Sequence, residues 1–135
     1  SVWSARLTQT SVLADGCFDP VHVGHLAYLQ AAAAFGWPLV VRIAPDEEIL
    51  AKGRVPFQTQ EERARVIRAL GCVGRVTLAP TLAEAIREQT PRYLVKGTAW
   101  RDHLPPDIYR TCEEIGTTIV FTHTDATSST ERLAR

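Results

Sequence analysis

The sequence has no methionine, no excess of charge of either sign and no long apolar run. Its 15 lysine and arginine residues balance 15 aspartate and glutamate residues, which argues against a general nucleic-acid binder, since such proteins carry a basic excess. No apolar run approaches the roughly 18 residues that would span a bilayer, and the opening SVWSARLTQTSV lacks the apolar core of a secretory signal. We therefore expect a cytoplasmic protein with no nucleic-acid partner and no membrane partner.

Cysteine is also scarce. The three cysteines, Cys17, Cys72 and Cys112, are odd in number and far apart, which fits reduced thiols rather than a disulfide framework. Cys17 is a zinc-type ligand near His22 and His25, but no Cys-x-x-Cys pair supports a zinc site. The phosphate-binding motifs GxxxxGK(S/T) and GxGxxG are absent. Their absence excludes a P-loop and a dinucleotide-binding fingerprint.

What the sequence does have is a regular alternation of segment types. Its 135 residues, 45% of them hydrophobic, suffice for one domain over 1–135. Short apolar runs predict strands at 11–15, 38–44, 75–79, 92–97 and 117–123. Capped or amphipathic segments predict helices at 23–35, 59–70, 82–89, 105–116 and 128–135. This order predicts a Rossmann-like open α/β fold: a parallel five-stranded sheet with helices on both faces, which binds ligands beyond the carboxyl ends of its strands.

Segment 16–25, GCFDPVHVGH, joins the first predicted strand to the first predicted helix. Gly16 permits a tight turn and a close approach to a ligand, and Gly24 leaves room between the two histidines. His22 and His25 are three residues apart, so they share one face of the first helical turn. Because the free N–H groups and the dipole at a helix N-terminus favour anions, the segment predicts a phosphate-binding site.

The same segment resembles the G-x-F-D-x-x-H-x-G-H signature of the cytidylyltransferase-like nucleotidyltransferases. Three later stretches are similar to motifs of that family, namely LAKGRVPFQTQEERARVIRAL (50–70), PRYLVKGTAW (91–100) and TSSTERL (127–133). The resemblance covers nearly all of 11–133. Within the family, the sequence looks most like the adenylyltransferase domain of ADP-heptose synthase, and next like the glycerol-3-phosphate cytidylyltransferases.

This resemblance implies nucleotidyl transfer without a covalent enzyme intermediate. A phosphate on the acceptor attacks the α-phosphorus of a nucleoside triphosphate, and pyrophosphate leaves. The resemblance implies Mg²⁺ as a cofactor, ATP or CTP as one substrate, a small phosphorylated sugar or polyol such as heptose 1-phosphate as the other, and a homodimer. Thr-Asp-Ala-Thr at 124–127 departs from the ending of the cytidylyltransferases, which favours AMP transfer from ATP.

The resemblance also implies which residues act. The histidines would donate hydrogen bonds to the triphosphate. Lys52 would bind the acceptor's phosphate, and Lys96 ends a strand at the binding edge. The predicted catalytic residues are His22, His25, Lys52 and Lys96. The predicted nucleotide-binding residues are Gly16, Cys17, Phe18, Gly24, Arg63, Gly97, Trp100, Ser128, Ser129 and Thr130.

Two positions depart from the family's pattern. Ala99 stands where the family carries an acidic residue, and Asp102 is close enough in sequence to substitute for it. Asp15 stands where the heptose enzymes usually carry asparagine. Because a carboxylate repels a triphosphate unless a cation intervenes, we expect Asp15 either to help hold Mg²⁺ or to contact a hydroxylated acceptor.

Other functions stay open at this stage. One alternative is a CTP-dependent cytidylyltransferase that acts on glycerol 3-phosphate or on a related phosphate or phosphonate, and nicotinamide mononucleotide is a further candidate acceptor. A second alternative is a nucleotide-binding homologue with little turnover, which the loss of the acidic residue at Ala99 favours. A third is a structural domain that uses the fold alone.

Overall fold

The computed structural model describes residues 7–123, in which strands and helices alternate as the sequence predicts. The strands are β1 (Val12–Gly16), β2 (Leu39–Ile43), β3 (Arg75–Thr77), β4 (Tyr93–Gly97) and β5 (Thr118–Thr122). The helices are α1 (Val23–Ala33), α2 (Asp46–Ala51), α3 (Gln60–Arg68), α4 (Leu82–Gln89) and α5 (Pro106–Ile115). A single 3₁₀ turn, Thr98–Trp100, follows β4.

The five strands form one sheet in the order β3-β2-β1-β4-β5, and every neighbouring pair is parallel. Strand side chains alternate between the two faces, because successive residues of a strand point in opposite directions. Val12 and Ala14 of β1 pack in the same core as residues of α1 and α3. Leu13, between them, packs with residues of α4 and α5. The prediction of a Rossmann-like sheet covered by helices on both faces is thus confirmed.

Two helices begin where the sequence predicts, because threonine caps them. The Oγ1 of Thr59 accepts a hydrogen bond from the backbone N–H of Glu62 at 3.2 Å, and that of Thr81 accepts one from Glu84 at 3.1 Å. Each satisfies an N–H group that lacks a partner inside its helix. Among the described residues, no helix is both long and apolar enough to cross a membrane.

The fold departs from the prediction in two places near the carboxyl edge of the sheet. Helix α2 was not predicted, although its first turn carries three acidic residues (Asp46, Glu47 and Glu48), which suit a helix N-terminus. The strand predicted at 75–79 ends at Thr77, and beyond it the carbonyl of Ala79 accepts a hydrogen bond from the Arg42 side chain at 3.0 Å. The predicted helix at 128–135 lies outside the described residues.

Candidate active site

A cavity of about 590 Å³ opens at the carboxyl edge of the sheet. The chain proceeds from β1 to β2 and β3 on one side and then crosses to β4 and β5 on the other. Ligands of open α/β sheets bind where the strand order reverses in this way. Eight of the residues predicted to be catalytic or nucleotide-binding line this cavity, and so does Asp15. The eight are Gly16, Cys17, Phe18, His25, Lys52, Lys96, Gly97 and Trp100.

Other predicted site residues lie elsewhere. His22, Gly24 and Arg63 are not part of the cavity wall. Ser128, Ser129 and Thr130 lie outside the described residues, so their predicted role in nucleotide binding stays a prediction. Ala99, which stands where the family carries an acidic residue, lines the cavity.

A tyrosine hydroxyl sits where β1 and β4 separate. The pairing of these strands ends at Ala14 and Val95. There the Tyr28 hydroxyl accepts a hydrogen bond from the Asp15 N–H at 3.1 Å and donates one to the Val95 carbonyl. Burial raises the pKa of Tyr28 above its usual value, so the hydroxyl stays protonated and keeps both bonds. The cavity therefore opens at a defined point between the strands.

Tyr28→Phe is expected to destabilise the fold by about 1–3 kcal/mol, because it leaves the Val95 carbonyl and the Asp15 N–H without this partner. Urea unfolding followed by circular dichroism measures the change. Tyr109→Phe is the matched control, since Tyr109 is 43% exposed. Equal stability of the Tyr28→Phe variant and the wild type would show that the hydroxyl does not hold the two strands.

The two histidines form a capping box at the start of α1. His22 is the N-cap, and its Nδ1 accepts from the Gly24 N–H at 3.1 Å. The Nδ1 of His25 accepts from the His22 N–H at 3.2 Å. Such reciprocal bonds need residues three apart, which gives the His-x-x-His spacing a structural cause. Because Nδ1 accepts in both rings, the proton of each neutral imidazole resides on Nε2. In His25, which lines the cavity, this is the atom that can donate to a ligand.

Aromatic contacts fix the orientation of these imidazoles. The two rings stack with centroids 3.8 Å apart, and Phe18 meets His25 edge-on at 5.1 Å. Phe18 has a positive φ of 52°, a backbone conformation that few residues other than glycine adopt. A Cβ on Gly16 would lie 3.1 Å from the Phe18 ring. Glycine at 16 therefore lets the Phe18 ring turn back beneath His25.

Asp19 attaches the loop between β1 and α1 to the chain segment before α3. Its two carboxylate oxygens accept from the backbone N–H groups of Phe57 and Gln58, each at 2.8 Å. The aspartate of the G-x-F-D signature thus acts here as a loop clamp. It holds the histidines and the segment after Lys52 in one arrangement.

Arg63 reinforces that clamp and does not face the cavity. Its side chain is fully buried, and Nη1 donates to the carbonyls of Cys17 at 2.9 Å and Ala44 at 2.6 Å. Nε donates to the carbonyl of Gln58 at 3.1 Å, and Nη2 to Asp46 at 2.7 Å. The predicted contact of Arg63 with the nucleotide therefore disagrees with its placement. Arg63 ties three loops together, because one planar guanidinium offers five donors.

Five side chains of alternating charge lie along the cavity wall, and we call them the charged floor. The ammonium of Lys96 is 3.0 Å from Asp15, and Asp15 is 3.1 Å from Arg42. Arg42 is 2.8 Å from Glu48, and Glu48 is 3.7 Å from Lys52. Lys96 and Arg42 are buried and Asp15 is 11% exposed, whereas Lys52 is 49% exposed at the rim. The two lysines predicted to act are therefore the two ends of one chain of ion pairs.

The pKa of Asp15 reflects this setting. Burial raises the pKa, but Lys96 and then Arg42 outweigh burial, so the pKa of Asp15 lies below its usual value of 3.8. The carboxylate is thus ionised, and each of its oxygens already contacts a cation. Asp15 as placed does not fit a Mg²⁺ ligand, in disagreement with one of its two predicted roles. Nor do the described residues contain a group of three or more metal-type side chains.

Lys96 and Trp100 contact each other in the cavity wall. The Lys96 ammonium lies 4.4 Å from the centre of the Trp100 ring, a cation–π contact that helps a buried charge. Sequence reasoning missed Arg42, Glu48 and Tyr28. An arginine inside the apolar run PLVVRIA was the available signal for Arg42, because a charge in a buried strand requires partners.

The fold and the cavity together define a Rossmann-like α/β protein whose candidate site lies at the switch point of the sheet, beside a histidine-capped helix. The chain belongs to the cytidylyltransferase-like family, whose model matches residues 13–133. This match confirms the family that the sequence motifs predicted.

Two curated relatives are similar to this chain over most of its length. The chain is 40% identical over 102 residues to a D-beta-D-heptose 1-phosphate adenylyltransferase of Bordetella bronchiseptica, covering 72% of this chain and 63% of that protein. It is 35% identical over 130 residues to the bifunctional protein HldE of Streptomyces coelicolor, covering 93% of this chain and 28% of that protein. The chain thus spans less than two thirds of the length of either relative.

A solved structure shares the fold. The lipopolysaccharide core biosynthesis protein from Thermoplasma volcanium GSS1 superposes with a TM-score of 0.71 over 87% of this chain and 98% of that chain. The two sequences are 23% identical, so the likeness bears on the architecture alone.

Proposed function

We propose that this protein is an adenylyltransferase that transfers AMP from ATP to the phosphate of a phosphorylated sugar, with heptose 1-phosphate as the acceptor, and releases pyrophosphate. The observation that carries the proposal is the capped histidine pair, whose His25 lines the same cavity as the buried ammonium of Lys96. Membership of the family and the names of the relatives support the choice of reaction and acceptor.

The arrangement suits transfer between two anions. An acceptor phosphate oxygen attacks the α-phosphorus while the bond to pyrophosphate breaks, and negative charge spreads over the phosphorus oxygens. His25 would donate Nε2–H to that charge, and the N-terminus of α1 would add its dipole. Lys96 and Lys52 would add positive charge at the wall of the same cavity. Mg²⁺ would enter as part of the Mg–ATP substrate, since it is commonly bound through substrate phosphates and waters.

The test offers ATP and CTP separately, each with heptose 1-phosphate or glycerol 3-phosphate and Mg²⁺, and follows pyrophosphate. We expect release with ATP and heptose 1-phosphate. Turnover of CTP with glycerol 3-phosphate instead would overturn the proposal in favour of a cytidylyltransferase. Binding of ATP without pyrophosphate release from any pair would identify a nucleotide-binding homologue.

A further inference from the structure

Arg42 occupies the centre of the charged floor and has no predicted role. It bridges Asp15 at the end of β1 to Glu48 on α2. Through these carboxylates it connects to Lys96 on one side and Lys52 on the other. A single guanidinium thus joins the two ammonium groups that the proposed function assigns to phosphate.

The hydrogen bonds of Arg42 show that it does not bind substrate itself. Nε donates to the Ala79 carbonyl at 3.0 Å, and Nη2 donates to Pro80 at 2.8 Å and Glu48 at 2.8 Å. Nη1 donates to Asp15 at 3.1 Å and reaches the second Glu48 oxygen at 3.4 Å. These contacts use all five N–H groups that an arginine offers. The side chain is only 2% exposed, so no donor is left for a phosphate.

We propose that Arg42 is the positioning residue of the transfer reaction: it shares the Asp15 carboxylate with Lys96, and so keeps the Lys96 ammonium available to a phosphate. This inference rests on the proposed function. It assigns Arg42 no contact with either substrate. Its effect passes through Asp15 and Lys96.

Electrostatics explains why Arg42 would keep the Lys96 ammonium available to a phosphate. A buried carboxylate with a single cationic partner holds that partner strongly, because charges attract more strongly where water is excluded. If Arg42 did not neutralise part of Asp15, Lys96 would have to serve as the sole counter-ion of Asp15. A phosphate would then compete with Asp15 for Lys96. With Arg42 in place, the charged floor has three cations and two carboxylates, which leaves one positive charge in excess at the cavity wall.

A double-mutant cycle tests the assignment. Arg42→Lys keeps the charge but cannot reach two carboxylates and two carbonyls at once. We expect it to lower kcat about tenfold with the KM for ATP within about twofold, as for an interaction made in the transition state. In a Lys96→Met background, Arg42→Lys should not lower kcat further. In a His25→Ala background, it should still lower kcat about tenfold. Arg87→Lys is the control, because its ion pair with Glu114 is exposed.

An equal loss from Arg42→Lys in all three backgrounds would overturn the inference and leave Arg42 a purely structural role. Should Arg42→Lys fail to fold, Glu48→Gln serves instead, because it removes one ion-pair partner of Arg42. It should lower kcat by a smaller factor, and again only where Lys96 is present. Affinity for inorganic phosphate, measured by calorimetry across the same cycle, separates this inference from the proposed function. If no acceptor gives pyrophosphate, the proposed function fails, while a phosphate affinity that depends on Arg42 only in the presence of Lys96 still supports the positioning role.

Discussion

Replacing His25 by alanine is expected to lower kcat about 100-fold or more, the usual cost of removing a donor aimed at developing charge. The capping bond to the His22 backbone leaves Nε2 of His25 as the protonated nitrogen, and the ring lines the cavity. Since water in the vacated space cannot restore a fixed donor, the loss should fall on kcat more than on the KM for ATP. Steady-state pyrophosphate release measures both constants.

The capping role of the histidines must be separated from their chemistry. His22→Asn is the matched variant, since asparagine is among the best N-cap residues and keeps an acceptor for the Gly24 N–H. We expect this variant to unfold at nearly the wild-type urea concentration and yet lose activity, because the stacking of His22 on His25 is gone. A wild-type kcat in His25→Ala would contradict the assigned donor role directly.

The fold could be predicted because its signals are local and repeated. Apolar runs of strand length alternate with capped helices, and parallel strands joined by helices allow few other arrangements. The histidine pair could be predicted for the same reason, since the two residues of the capping box are three apart in the chain. The place of Lys96 at the cavity could be predicted because it ends an apolar strand at the ligand-binding edge.

The partners of a charged side chain could not be predicted, because they come from distant segments. Arg42 meets Asp15, which is 27 residues away, and the carbonyl of Pro80, which is 38 residues away. Sequence placed Asp15 near a cation but could not show that two protein cations already occupy it. Its motif position singles out Arg63, which is the arginine of α3 that is buried. The motif does not say whether the guanidinium faces a ligand or the protein's own loops.

Because the guanidinium of Arg63 faces the protein's own loops, its removal gives the largest expected change in stability. Arg63→Met is expected to destabilise the fold by about 3 kcal/mol or more, because it leaves several backbone carbonyls without their donor at about 1–3 kcal/mol for each buried group. The affected carbonyls belong to the loop after β1, the end of β2 and the segment before α3. Urea unfolding with a linear extrapolation measures the loss.

Arg65→Met is the matched control, since Arg65 lies on the same helix and is exposed, and surface changes of this kind usually stay within about 0.5 kcal/mol. If Arg63 instead contacts a phosphate, Arg63→Met should retain the stability of the Arg65→Met variant and lose affinity for ATP. If Arg63 instead holds the loops together, Arg63→Met should lose stability first. Its affinity for ATP should then fall only as the loop that carries the histidines loosens. ATP titrations at a temperature where Arg63→Met is still folded therefore decide between a ligand contact and a clamp that holds the loop of Cys17 against the end of β2.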